Sequence, residues 1–457
     1  MARPTPSPHG SRPARSAAAL VRRELLRAVG DAVLFPARLF SSALGGSRAK
    51  RELQQCLQAP AHVAPVPQVV WRKDRPLRVL ISCAEVSGET HAVNLVHALR
   101  RAADAAGAPE PVFAGLGGER LQAAGVVLWH DTVTHARMGL FATVRALRSY
   151  LRLLEQTVTR SEAFAPDVAV MVDSPALHVP LMSMLRTRGV RTAHLVVPQH
   201  WAWAPWRARR WAGCTDLGLA ILPFEPAWFA RRGAQVVLVG HPQLDAIAAP
   251  AATAPSNTLD TLVVLCGSRQ TLLERHAQWM VQIAAEVARD LGLRVVVAHE
   301  REAVATQLRH LLSAELADGS VEVCAGDLHA VLSRARAALT VSGTITIDLL
   351  ARGVPTVVVY RLAGHTEEFL ARMMVHVPYV AAPNLLVNAN LMPEYAFAGA
   401  PPREAIRRDL RRAASDPAWR AEYARQVAQA RARLGGDGAI ARAASHVAEL
   451  AHRDLQP

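Results

Sequence analysis

Asp173 ends the apolar run Val168–Val172 and is followed by Ser174-Pro175. A carboxylate at the tip of a buried strand can take a proton from an attacking hydroxyl that comes within hydrogen-bond reach. Asp before Pro also caps helices, so a plain structural use stays open. Gly267-Ser268-Arg269 follows a second apolar run, Leu262–Cys266, and leads into helical periodicity near Leu272–Leu291. A glycine turn at a helix start exposes backbone amides, and an arginine beside them completes a cradle for a diphosphate. Glu85-Val86-Ser87-Gly88 follows Leu77–Cys83 in the same way. Its amides suit an anion or a sugar hydroxyl, or serve an ordinary capped turn. Ser342-Gly343-Thr344 opens a further helix, with Thr344 and Asp348 four apart and hence on one face.

Three other features carry chemistry less directly. His241, in Gly240-His241-Pro242, has the options of base, phosphate partner or satisfied turn residue. Trp201, Trp203 and Trp206 alternate with small residues beside Arg207, Arg209 and Arg210. Such rings pack a core, line an acyl channel or settle at a lipid headgroup layer. Asn384, in Pro383-Asn384-Leu385-Leu386, has amide groups for a substrate or for its own loop.

Short apolar strands alternating with helices must position these residues. Val112–Ala114, Thr192–Val197, Leu217–Leu222 and Val236–Val239 join the runs above. After a Pro/Ala/Ser-rich stretch at Pro250–Ser256 the pattern restarts, with Arg294–Ala298, Val321–Cys324, Ala338–Val341 and Thr356–Tyr360. That alternation predicts an α/β chain with doubly wound parallel sheets. Residues 1–76 are expected to be a basic, partly disordered extension, with Leu25, Leu26, Val29, Val33 and Leu34 on one helical face beside Arg22, Arg23 and Arg27. The units that follow are 77–248, 257–400 and a helical tail, 401–457.

Charge and cysteine content narrow the partners. The net charge of +14, almost all arginine because Lys50 and Lys73 are the only lysines, suits phosphorylated ligands or anionic lipid. No helix-turn-helix, zinc-finger or RNA-binding signature accompanies it, so nucleic acid is not expected. Cys56, Cys83, Cys214, Cys266 and Cys324 are widely spaced and form no Cys-x-x-Cys pair, which indicates neither a disulfide framework nor a zinc site. No apolar run approaches the roughly 20 residues that span a bilayer. A reducing cytoplasmic setting follows, peripheral to a membrane if the extension is interfacial.

The motifs together resemble those of the lipid-A-disaccharide synthases, over about residues 77–400. Ala84-Glu85-Val86-Ser87-Gly88-Glu89 is similar to the family's Gly-Glu-x-Ser-Gly-Asp. Gly115–Arg120 and Arg137-Met138-Gly139 are similar to its Gly-Gly-Pro-Arg-Met turn and Val-Met-Gly loop. Asp173-Ser174-Pro175 matches Asp-Ala-Pro, and Leu265-Cys266-Gly267-Ser268-Arg269 resembles Leu-Pro-Gly-Ser-Arg. The Trp201-Ala202-Trp203 turn, Leu222–Glu225, Val239–Pro242 and Val377–Leu386 follow in family order. Departures are Ala84, Glu89, Arg137, Cys266, Leu272 and Asp348, the last standing for a Glu that holds ribose hydroxyls.

The resemblance implies a GT-B fold of two Rossmann-like domains facing a cleft, with a terminal helix that commonly returns to the first domain. It implies transfer of 2,3-diacylglucosamine from its UDP derivative to 2,3-diacylglucosamine 1-phosphate, with inversion and release of UDP. Asp173 would be the general base and Arg269 the stabiliser of the departing diphosphate. Glu85, Ser87, Gly88, Met138, Gly139, Trp203, His241, Gly267, Ser268, Ser342, Gly343, Thr344, Asp348 and Asn384 would line the substrates, Met138-Gly139 where acyl chains enter. Neither metal nor cofactor is expected. A non-catalytic lipid- or nucleotide-binding paralogue, and a sugar-nucleotide epimerase or other GT-B enzyme, remain as alternatives.

Overall fold

A computed structural model of the chain describes residues 16–137, 144–248, 259–317 and 319–455. Its first sheet comprises β1 (Arg78–Cys83), β2 (Val112–Gly117), β3 (Val127–Asp131), β4 (Val168–Val172), β5 (Arg191–Leu195), β6 (Leu217–Ala220) and β7 (Val236–Leu238). The second comprises β8 (Thr261–Leu265), β9 (Arg294–His299), β10 (Val321–Ala325), β11 (Ala335–Val341), β12 (Thr356–Arg361) and β13 (Glu394–Phe397). Every pairing is parallel, in the orders 3-2-1-4-5-6-7 and 10-9-8-11-12-13. Helices cover both faces of each sheet, so central strands such as Val-Ala-Val-Met-Val of β4 are buried at each position. Strand order reverses between β1 and β4 and again between β8 and β11. Each reversal opens a crevice at the carboxyl ends of those strands, which is where ligands of open parallel sheets bind.

The C-terminal helix Ala439–Ala451 packs on the first sheet, with Ala443, Ala444 and Val447 in one core with Leu95, Leu99 and Val170. Asp245 fixes its start, accepting the amides of Gly438, Ala439 and Ile440 at 2.7, 3.0 and 2.9 Å. A carboxylate there satisfies otherwise orphaned donors and complements the helix dipole.

Of the N-terminal extension, residues 1–15 lie outside the described residues. From Ala17 on it forms two docked helices, Ala17–Val33 and Phe35–Gln58. The first buries Leu20, Val21 and Glu24 against the first domain. Leu26, Val29, Val33 and Leu34, expected on an interfacial face, point to solvent. Arg27 and Arg210 neutralise the buried Glu24 carboxylate, and Ser183 Oγ donates to it at 2.9 Å. A charge this deep is tolerated only with such partners.

The lobes touch at several points. Gln243 Nε2 donates to Asp348 at 3.1 Å, Trp203 and Val375 form an antiparallel bridge, and the His376 amide donates to the Ala202 carbonyl at 3.2 Å. The expected linker Pro250–Ser256 lies outside the described residues, as do Met138 and Gly139.

Candidate active site

Asp173 is the most constrained residue of the first crevice. It and Ser174 both have left-handed backbones, φ 57° and 45°, although neither is glycine. Each such residue costs on the order of 1–3 kcal/mol and persists only where its surroundings impose it. Here the surroundings are two imidazoles. His178 Nδ1 and His194 Nε2 both donate to the Asp173 carbonyl, at 2.5 and 2.8 Å. The tautomers follow from the outer partners. Trp211 Nε1–H, which can only donate, meets His194 Nδ1 at 2.8 Å, and the proton of His194 is therefore on Nε2. Since a carbonyl can only accept, the proton of His178 is on Nδ1, and its Nε2 takes the Ser82 hydroxyl at 2.9 Å. Burial lowers the histidine pKa values to about 3 and about 4, so both rings stay neutral. The Asp173 amide donates to the Leu195 carbonyl at 2.9 Å and closes the clamp.

The side chain of Asp173 is thereby aimed out of the strand end. Its pKa rises to about 6, first through burial and then through the negative charge of Glu85, while the Ser174 amide pulls it back. A carboxyl raised toward neutrality is a proton acceptor of useful strength near pH 7. Gly88 lies beside it: a Cβ there would stand 3.4 Å from the Val172 carbonyl oxygen and 3.8 Å from the Asp173 Cβ, both ordinary packing distances. Ser87 sits in the same helical turn, and Glu85 precedes it with its carboxylate half exposed. The buried Ser174 hydroxyl has no partner among the described residues and lies next to the carboxylate.

Arg269 stands at the facing crevice of the second domain, three-quarters exposed, with its guanidinium 4.0 Å from the Glu85 carboxylate. Asp173 and Arg269 therefore share Glu85 as a neighbour across one groove. Gly267 turns at φ 86°, and the side chain of Leu272, one of the departures from the family pattern, packs beneath it. Cys266 is buried, its thiol pushed up to about 12, so this turn rests on apolar contacts. Ser268 is exposed, and its carbonyl accepts Arg301 at 3.3 Å. Ser342, Gly343 and Thr344 open helix Ile345–Arg352 with Gly343 in free space, and Thr346 braces the turn by donating to the Gly343 carbonyl at 2.8 Å. Asp348 is half-buried one turn in, its pKa raised by burial while the Gln243 hydrogen bond and Arg352 pull it back.

Two expectations are corrected. Asn384 is fully buried: its amide donates to the Met392 carbonyl at 2.8 Å and to Glu394 at 3.0 Å, and its oxygen accepts the Met392 amide at 2.7 Å. With both donor directions taken, it builds a loop and faces no groove. His241 is also buried, its Nδ1 accepting the Gln243 amide at 3.2 Å, and burial followed by the nearby His91 lowers its pKa to about 3. A ring so enclosed holds the turn. Trp201 belongs to the core, stacked edge-on to Phe224 and donating to Glu225 at 3.1 Å, whereas Trp203 is exposed with Arg207 5.1 Å above its ring. Glu89, longer than the expected Asp, reaches the Leu121 amide at 3.2 Å through space left by Gly118.

The arrangement is a carboxylate facing an arginine-bearing turn across two switch-point crevices, with no metal-holding cluster among the described residues. A family model described as lipid-A-disaccharide synthetase matches residues 79–416. A lipid-A-disaccharide synthase of Myxococcus xanthus is 33% identical over 387 residues, covering 82% of this chain and 98% of its own. One of Granulibacter bethesdensis is 32% identical over 327 residues, covering 69% and 81%. Among solved structures, Staphylococcus aureus MnaA with UDP aligns at TM-score 0.57 and 13% identity over 83% of this chain and 98% of its own. The calicheamicin glycosyltransferase CalG4 aligns at TM-score 0.52 and 17% identity over 84% and 100%. Those two likenesses establish the shared two-lobed GT-B fold. Taken with the match across residues 79–416, they leave one assignment: the chain belongs to the lipid-A-disaccharide synthase family.

Proposed function

We propose that this chain joins UDP-2,3-diacylglucosamine to 2,3-diacylglucosamine 1-phosphate by one inverting displacement, with Asp173 as general base. Family membership makes it a UDP-sugar-dependent glycosyltransferase of lipid A biosynthesis. The acceptor's 6-hydroxyl gives its proton to the Asp173 carboxylate, and its oxygen attacks the anomeric carbon from the face opposite UDP. The bond from that carbon to the diphosphate breaks, and UDP leaves with the electron pair. Arg269, the Gly267–Arg269 amides and the start of helix Ile345–Arg352 take up the growing charge. Glu85, Ser87, Gly88 and the Ser174 hydroxyl surround the acceptor, and Asp348 serves the donor ribose directly or through water.

What supports the reading is the single groove in which Glu85 neighbours both Asp173 and Arg269. UDP release should require both acylated sugars together. Release from the donor alone, or none from the pair, would sink the transfer reading and favour hydrolysis or a non-catalytic binder.

The pH profile gives a second test. The competent carboxylate of Asp173 grows in as pH rises through about 6, so kcat/KM should fall away below it. Glu85→Gln removes a charge that raises this pKa, and the acid limb should move to lower pH. An unmoved limb would detach Asp173 from the profile.

No described helix is long and apolar enough to cross a membrane. Acylated substrates nonetheless reside in one, and the positive chain with its exposed apolar N-terminal face supports a peripheral membrane setting.

A further inference from the structure

The first N-terminal helix does more than cover the domain. Between it and the far end of helix Pro175–Thr187 lies a cavity of about 620 Å³. Its charged walls are Arg23, Arg27, Arg186, Arg209 and Arg210 against a single lining carboxylate, Asp31. Some of these charges are already used. Arg27 and Arg210 hold Glu24, Arg210 also meets Asp31 at 3.2 Å, and Arg186 meets Asp216 at 3.1 Å. Arg23 and Arg209 make no side-chain hydrogen bond or ion pair among the described residues, and the buried Nε of Arg210 is also unpartnered. The cavity thus presents unspent guanidinium donors in a concave space, which suits the oxygens of a phosphate.

Its position separates it from the groove. Helix Pro175–Thr187 starts beside Asp173 and ends at the cavity, and its 13 residues put the two about 18 Å apart at 1.5 Å per residue. The cavity wall formed by Ala17–Val33 also lies outside the region shared with the family.

The surface beside it is apolar. Leu26 and Val33, 72% and 73% exposed, flank Val29 on one face of that helix. Phe40 and Leu44 continue the exposure on Phe35–Gln58, and that helix packs on His365–Met374, which shows Phe369 to solvent. A soluble face would not leave so many large apolar side chains beside arginines, whereas a lipid interface requires that combination.

We propose that the cavity binds the phosphate headgroup of an anionic phospholipid while Leu26, Val29 and Val33 rest among the acyl chains. The site deepens the membrane setting proposed above and is independent of the transfer chemistry. The test uses the full chain and vesicles of phosphatidylcholine alone or mixed with phosphatidylglycerol. Wild type should bind the mixed vesicles, and R23A/R209A should bind them about 25-fold more weakly, at roughly fivefold per arginine near an anionic surface. L26D/V29D should also lose binding. Melting temperature should stay unchanged in R23A/R209A, because neither arginine holds the fold together. UDP release from detergent-dispersed substrates should stay unchanged too.

Equal binding by R23A/R209A, or equal binding of wild type to pure phosphatidylcholine, would overturn the proposal. So would displacement from vesicles by millimolar inorganic phosphate at constant ionic strength, which would mark a site for a soluble anion. Loss of UDP release with vesicle binding intact would assign the arginines to the reaction and equally overturn it. The vesicle arm reads the same whether or not UDP is released, so the two proposals fail separately.

Discussion

Asp173→Asn should lower kcat by roughly 10²–10⁴-fold, the usual worth of a positioned proton acceptor, while UDP-sugar affinity changes little. The amide keeps the size of the carboxylate and can still take the Ser174 amide proton on its oxygen. The backbone clamp acts on the main-chain carbonyl and is untouched. What disappears is the lone pair that receives the hydroxyl proton. The variant should not be less stable above pH 6. Burial and Glu85 make the native carboxylate costlier to ionise than in the unfolded chain, so ionised Asp173 opposes folding there. Near-normal turnover, checked by single-turnover UDP release, would remove Asp173 from the base role.

Arg269→Ala should cost about 10²–10³-fold in kcat, comparable to losing one preorganised donor to a developing anion. The donor KM should rise less, because charge on the diphosphate oxygen grows as the glycosidic bond breaks. Stability should be unmoved: the side chain is three-quarters exposed, and its 4.0 Å pair with Glu85 is a surface contact worth little. Lys should recover only part of the loss, being a point charge in place of a planar fork. A KM effect with kcat intact would make Arg269 a ground-state anchor.

Legibility in the sequence followed burial. β4 and β8 were readable because covering on both faces turns them into unbroken apolar runs. The edge strands β3, Val-Leu-Trp-His-Asp, and β13, Glu-Tyr-Ala-Phe, were not foreseen; each has a single neighbour, and polar residues at one end break the pattern. Asp173, Gly267 and Ser342 stood out because strand ends of a doubly wound sheet are marked by where the apolar runs stop. His178 and His194 were missed because they act on a main-chain carbonyl, and nothing in Asp173-Ser174 announces a left-handed backbone. An imidazole in the first turn of the following helix, five residues after Asp173, paired with one next to the end of the next strand, is the only trace. Asn384 misled because an amide satisfied from all sides looks the same in sequence as one awaiting a ligand. The burial of Glu24 in the N-terminal helix was not legible, because its countercharge Arg210 comes from a distant segment.

The doubly bonded carbonyl of Asp173 means that the first lobe's half of the site is rigid before any sugar arrives. The opposite half has open space around Gly343, and among the described residues only Glu85 pairs with Arg269. On the proposed mechanism, acceptors are sorted by a fixed mould, and a hydroxyl displaced by one bond length finds no base that can follow it. On the same mechanism the nucleotide would freeze its own grip on docking, which taxes donor affinity and leaves the bond-making step preassembled.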